Sequence, residues 1–138
     1  MLFAESLALI ALERTGNIYI MIGVPQTIGL SLFFMGCLLH AWSVVVRGRY
    51  ATSWSMSIDH KLITEAPYSL ARHPSYLAYM LMIVGVTLVW MRWFTLIPWI
   101  AIPGYVLVSR REEELLIERF GDQYKVYMKR VNAFIPRL

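Results

Sequence analysis

Residues 18–46 read IYIMIGVPQTIGLSLFFMGCLLHAWSVVV, 29 positions without Asp, Glu, Lys or Arg. As helix this run measures about 43 Å at about 1.5 Å per residue, against roughly 30 Å for the hydrocarbon core of a bilayer. It reads as a membrane span, tilted or broken near Gly23 and Pro25. Further along, the uncharged runs 75–91 and 93–109 hold 17 residues each, separated only by Arg92 and flanked there by Trp90 and Trp93. Indole rings favour the membrane interface, so the pair reads as a tight helical hairpin. Pro98 and Pro103 should bend its return limb. Residues 1–12 are apolar apart from Glu5, too short to span alone, and lack the leading basic residues of a secretory signal. They read as an interfacial helix or as part of an additional span. The expected fold is all-α integral membrane, with three to four transmembrane helices.

The composition agrees with this. Of 138 residues, 58% are hydrophobic and 16% charged, and mean hydropathy is +0.54; soluble domains carry about 25% charged residues. Disorder is excluded by the apolar and aromatic content. A disulfide scaffold is excluded because Cys37 is the only cysteine. The length suits a single domain, 1–138. Eleven of the thirteen basic residues fall in 47–74 and 110–138, which a hairpin places on one side of the membrane. The positive-inside bias makes that side cytoplasmic. The net charge of +4 is thus a topological signal and gives no support to nucleic-acid binding.

Two polar segments meet on that face. The first, 47–74, carries His60, Arg72 and His73, with Pro74 suited to open the helix that follows. Arg72 and His73 would sit beside the positive end of that helix, a place for a carboxylate or phosphate. The second, 110–138, reads as a tail helix over 110–131, its apolar stripe formed by Leu116, Phe120, Tyr124, Tyr127 and Val131. Such an amphipathic helix lies on the membrane surface or closes over the hairpin ends. Gly121 can end or bend it. Glu112 and Arg119, seven apart, share a face, with Glu113 about 100° away. Plainer roles compete: Glu112, Glu113 and Glu114 can complement a helix dipole, His73 can cap a helix, and Tyr124 and Tyr127 can be packing residues. His40 reads as a satisfied or interfacial histidine. No metal site is expected, since His60 and His73 lack partners at ligand spacing.

The stretch from His60 to Tyr76, HKLITEAPYSLARHPSY, resembles the signature of the isoprenylcysteine carboxyl methyltransferase family. The stretch from Glu112 to Tyr124, EEELLIERFGDQY, with Tyr127 and the Phe134-Ile-Pro136 that follows, resembles the same family's tail. That family sits with the phospholipid methyltransferases in one group of membrane methyltransferases. The resemblance covers residues 29–138, although Ala66 stands where members usually carry glycine. It implies S-adenosylmethionine as cofactor, held on the cytosolic side, and a lipophilic or prenylated acceptor entering from the membrane lipid. The cofactor contacts it implies are His60, Lys61, Leu62, Ile63, Tyr68, His73, Pro74, Ser75, Tyr76 and Glu112. A methyl transfer is an in-line displacement, so the protein chiefly aligns donor and acceptor.

On the catalytic side the expectation is Glu113 and Arg119. Arg119, or Arg110 and Arg111, would hold an acceptor carboxylate, with Glu113 organising the arginine. An amine acceptor needs a base instead, Glu113 or His73. Carboxyl O-methylation of an isoprenylcysteine-like group is favoured over phospholipid N-methylation. Behind these stand an NADPH-dependent membrane reductase, whose substrate cavity needs many more spans, and a non-enzymatic membrane scaffold. A unit this small can form an oligomer to bury polar surface, but no motif specifies one.

Overall fold

The computed structural model describes residues 23–48 and 61–136. The readings placed on residues 1–12, the first five residues of the long run, and His60 lie outside them. Every regular element among the described residues is helical: α1 (Val24–Arg47), α2 (Pro74–Trp90), a 3-10 helix (Trp93–Ile100), α3 (Ala101–Phe120) and α4 (Asp122–Arg130).

Pro25 begins α1 rather than breaking it. It occupies the first turn, where a missing N–H is harmless, and Gln26 Oε1 accepts the Gly23 N–H at 3.1 Å. The 24 residues of α1 extend about 36 Å, and by length and composition this helix can cross a membrane. Its hydroxyls turn back onto its own backbone: Thr27 to Gly23 O, Ser31 to Thr27 O and Ser43 to Leu39 O, all within 3.0 Å. No lone hydroxyl is therefore presented to an apolar medium from these three positions. Leu30, Phe34, Leu38, Trp42 and Val45 are exposed along the outside.

The opposite face of α1 is a seam of small residues, Gly29, Gly36 and Ser43, each seven apart and buried. It meets Ala78 and Gly85 of α2, also seven apart and buried. A Cβ on Gly85 would lie 2.6 Å from Gly29 O, and one on Gly36 2.7 Å from Ala78 O. Backbone against backbone at this range needs the smallest side chains, the packing that helices use where burial from water offers little drive.

α2 ends at Met91, in the left-handed region with φ 46, whose N–H returns to Thr87 O at 2.8 Å. The turn of Met91 and Arg92 leads into the 3-10 helix, which holds Pro98. Thr87 ties this corner, accepting from Trp99 Nε1 at 3.0 Å and donating to Thr95 O at 3.3 Å. The hairpin's return limb thus starts as 3-10 helix and becomes α only at Ala101, with Pro103 in its first turn. From there α3 runs unbroken past residue 109, so hairpin and tail share one helix. The expected tail helix is interrupted at Gly121 (φ 54), where α3 stops and α4 begins. Positive φ suits glycine and strains other residues.

Gly85→Leu should destabilise the fold by about 1–3 kcal/mol or more, since backbone and not a yielding side chain blocks the added atoms. Leu30→Ala on the exposed face should change little. Thermal unfolding in detergent measures both, and equal midpoints for Gly85→Leu and wild type would refute the close seam.

Candidate functional site

The site forms where the segment before α2 meets the second half of α3 and the chain after α4. Arg72 and His73 N–H groups donate to Asn132 O and Ala133 O, each at 2.9 Å. Backbone pairing thus lays the C-terminal segment beside the start of α2. Arg72 then fills the corner with its guanidinium. Nε donates to Glu113 Oε1 at 2.9 Å, Nη2 lies 2.8 Å from the same oxygen, and Nη1 donates to Met128 O and Val131 O at 3.1 and 2.8 Å. It binds the end of α4, whose last carbonyls lack helical partners, and α3 at once.

His73 sits between the paired glutamates. Its Nε2 is 3.0 Å from Glu113 Oε1 and its Nδ1 3.5 Å from Glu112 Oε2. Desolvation alone would lower the imidazolium, but the hydrogen bonds to both carboxylates and their charges lift it above its ordinary 6.5. Burial would raise Glu113, yet hydrogen bonds from His73 and Arg72 and their positive charge hold it below its ordinary 4.5. The two shifts describe one ion pair, charged on both sides at neutral pH. Glu112, only 7% exposed, also accepts from Tyr76 Oη at 2.9 Å.

Around this lies an open cleft of about 610 Å³, continuous with solvent, lined by Lys61, Leu62, Ile63, Tyr68, His73–Tyr76 and Glu112. Nine of the ten residues read as cofactor contacts therefore line one cleft; His60 is outside the described residues. Leu116, Tyr124 and Tyr127 close it from the tail. The tail's apolar stripe is folded inward, with Tyr124, Tyr127 and Val131 buried and Leu62, Leu116 and Phe120 packed on them. Tyr127 Oη donates to Tyr68 O, and Tyr68 Oη to Ser43 O at 3.2 Å, so the cleft is anchored to α1. Burial pushes all three phenols, Tyr68, Tyr124 and Tyr127, up. They remain protonated, and Tyr68 and Tyr127 act as donors.

Glu113 and Arg119 are placed differently. Glu113 does hold an arginine, but it is Arg72, itself part of the cleft lining. Arg119 is exposed on the last turn of α3 and is not among the residues lining the cleft. Arg72 itself is engaged by Glu113 and two carbonyls and does not offer the open anion site expected of it. Two charged lining residues, Arg47 and Arg72, were not among the expected contacts. Arg47 ends the long apolar run and was legible only as a boundary charge.

Buried polar groups suggest what the cleft can take. Ser75 Oγ is buried without a hydrogen-bond partner; its neighbour Tyr68 Oη donates to Ser43 O instead. A ligand with polar atoms would satisfy it. The cleft offers a carboxylate, hydroxyls and aromatic or aliphatic walls, a set suited to an adenosine carrying a charged amino-acid end.

The ion pair has a pH signature. Because His73 is raised, its contribution to stability is complete below about pH 6.5 and is lost as pH climbs through its folded value. Glu113 is lowered, so its contribution holds above 4.5 and is lost on acidification through its folded value. Hydrogen exchange at the Arg72 and His73 amides, corrected for intrinsic rates, should show protection that persists through neutral pH and falls in alkali. Protection unchanged across the alkaline range would contradict the pairing.

The family described as phospholipid methyltransferase matches residues 24–123. Protein-S-isoprenylcysteine O-methyltransferase B of Arabidopsis thaliana is 27% identical across 97% of this chain and 73% of its own. The corresponding Tribolium castaneum protein is 30% identical over 80% of this chain and 41% of its own. A solved structure of the eukaryotic intramembrane Ras methyltransferase, isoprenylcysteine carboxyl methyltransferase, superposes with TM-score 0.67 at 27% identity, covering 80% of this chain and 42% of that one. The chain thus spans most of the plant relative but less than half of the insect protein and of the solved chain. With the family's pattern running over both walls of the cleft, the chain belongs to the phospholipid methyltransferase family.

Proposed function

We propose that the protein transfers a methyl group from S-adenosylmethionine to a lipophilic acceptor at the cytosolic membrane interface, by carboxyl O-methylation of an isoprenylcysteine-like group. The observation that carries this reading is the cleft, which joins residues 61–63, 68 and 73–76 to Glu112 across about 40 residues of chain. The names of the relatives support the acceptor class. The family description favours a second reading, N-methylation of a phospholipid head group.

The proposed donor supplies an electrophilic methyl carried on a sulfonium. Glu112 would take the positively charged or hydroxyl groups of the donor, and Tyr68, Tyr76 and Leu62 would wall its adenine. His60 would extend the same segment. His73, held by Glu113, would keep Glu112 oriented and Ser75 would supply a hydroxyl. A carboxylate acceptor needs no general base. An amine does, and Glu113, already engaged by Arg72 and His73, is poorly placed to leave its partners for that task. Arg119 is assigned to the acceptor side, reached from the tail.

The proposed topology is multi-pass and integral to the membrane. Segments 18–46 and 75–109 would cross it, making three spans or four with the N-terminal residues. Segments 47–74 and 110–138 would share the cytosolic face, the tail lying over the hairpin's end. The grouping of eleven basic residues on these two segments supports this orientation, and the exposed apolar side of α1 supports a place in the membrane.

Calorimetric titration of detergent-purified protein with S-adenosylhomocysteine should give saturable binding that His73→Ala removes. Glu112→Ala should abolish it too, whereas Arg119→Ala should leave binding intact and lower turnover. Binding of NADPH in place of S-adenosylhomocysteine would turn the reading to a reductase; binding of neither by folded protein would leave a scaffold.

A further inference from the structure

α3 carries the chain out of the proposed span, Gly121 turns it, and α4 brings it back. The contacts of Arg72 fix this path. Its guanidinium meets Glu113, seven residues before the end of α3, and also Met128 O and Val131 O at the end of α4. Arg72 itself stands two residues before α2 begins at Pro74. The last turn of α4 therefore lies level with the start of α2, where the proposed topology has the chain entering the membrane.

α4 has two faces. Tyr124 and Tyr127 are buried on one. Lys125, Val126, Lys129 and Arg130 are exposed and fall on the opposite side, within about 140° of arc at about 100° per residue. From residue 121 onward the sequence holds four basic residues and one acidic residue, Asp122. Asp122 sits at the far end of α4, 3.1 Å from Lys125 Nζ. Basic residues at a helix end often serve its dipole, but here Arg72 already fills two of the carbonyls at that end. Leu70 and Ile135 are also exposed. Pairing of the Arg72 and His73 N–H groups with Asn132 O and Ala133 O sets both beside the end of α4. Cations interleaved with exposed apolar side chains at this depth are the pattern of a membrane-surface helix. The apolar stripe expected to lie on the membrane is folded inward, which leaves this basic face to meet it.

We propose that the outer face of α4, centred on Lys129 and Arg130 with Leu70 and Ile135 beside them, docks on anionic phospholipid headgroups of the cytosolic leaflet. Charge and depth select this occupant. The negative surface potential of that leaflet attracts juxtamembrane cations and fades within a Debye length, a range met by a helix end lying beside the start of α2. Tyr124 and Tyr127, on the reverse of the same helix, line the cleft, so headgroup binding steadies the tail side of the site. The assignment rests on the proposed membrane orientation and not on methyl transfer.

The test uses the full chain, without cofactor, in nanodiscs of phosphatidylcholine alone and of phosphatidylcholine mixed with phosphatidylserine. Hydrogen exchange is read at the amides of residues 125–135, with thermal midpoints confirming folding. Wild type is compared with the Lys129→Gln/Arg130→Gln double variant and with Arg92→Gln, whose cation lies in the turn at the other end of α2. Phosphatidylserine should slow wild-type exchange by about 3- to 30-fold at low salt, and concentrated salt should erase the effect. The double variant should respond by less than about twofold, and Arg92→Gln should respond as fully as wild type. Equal wild-type exchange in the two lipids overturns the proposal, and so does a response that survives in the double variant. Equal slowing by inorganic phosphate in phosphatidylcholine discs marks a free-anion site and overturns the lipid assignment. A response lost in Arg92→Gln as well reflects net charge alone and overturns it too. Since no cofactor is present, each of these outcomes leaves the methyltransferase reading to its own titration.

Discussion

The Glu113 carboxylate joins parts of the chain 40 residues apart, because Arg72 and His73 both approach its Oε1. Charges this sheltered are expensive to desolvate and are tolerated only when their remaining donors and acceptors are filled. Here they are: Arg72 divides its N–H groups between Glu113 and the carbonyls that end α4, and His73 reaches Glu112 with its second nitrogen. Removing one partner from such a cluster costs about 3–5 kcal/mol, because the other charge is stranded. The same contacts hold the start of α2 against α3, beside the cleft that His73–Tyr76 and Glu112 line.

Two further constraints support this joint. The seam of Gly29, Gly36 and Ser43 against Ala78 and Gly85 fixes α1 on α2 at backbone contact. Tyr68, between Ser43 O and Tyr127, carries that position to the tail. A second chain of rings, Tyr79, Tyr105 and Tyr76, stacks from α2 across α3 to His73 at centroid separations of 5.5–5.7 Å. With α3 continuous from the hairpin into the tail, any shift of the return limb is transmitted directly to Glu112 and Glu113.

Much of this was legible in the residues and some was not. Uncharged runs and proline positions located the helices, because apolar length and backbone restriction act locally. The motif residues Arg72-His73-Pro74 and Glu112, singled out by the family resemblance, come together in the lining of one cleft. The seven-residue spacing of Gly29, Gly36 and Ser43 was present but passed unread: small residues in an apolar run carry no hydropathy signal. Arg72 was readable as an anion site, yet its partners come from residues 113, 128 and 131, and no local pattern announces that its capacity is used internally. Arg47 looked like topology because its neighbours in the chain are lipid-like; only the packing of α1 turns it toward the cleft.

A double-mutant cycle on Arg72 and Glu113, read through S-adenosylhomocysteine affinity, tests most directly whether their pairing builds the cleft. If it does, Arg72→Ala, Glu113→Ala and the double variant lose affinity to a similar extent, giving a coupling energy within about 0.5–3 kcal/mol. Losses that simply add would mean that the two side chains act on the cleft independently, and would contradict the account.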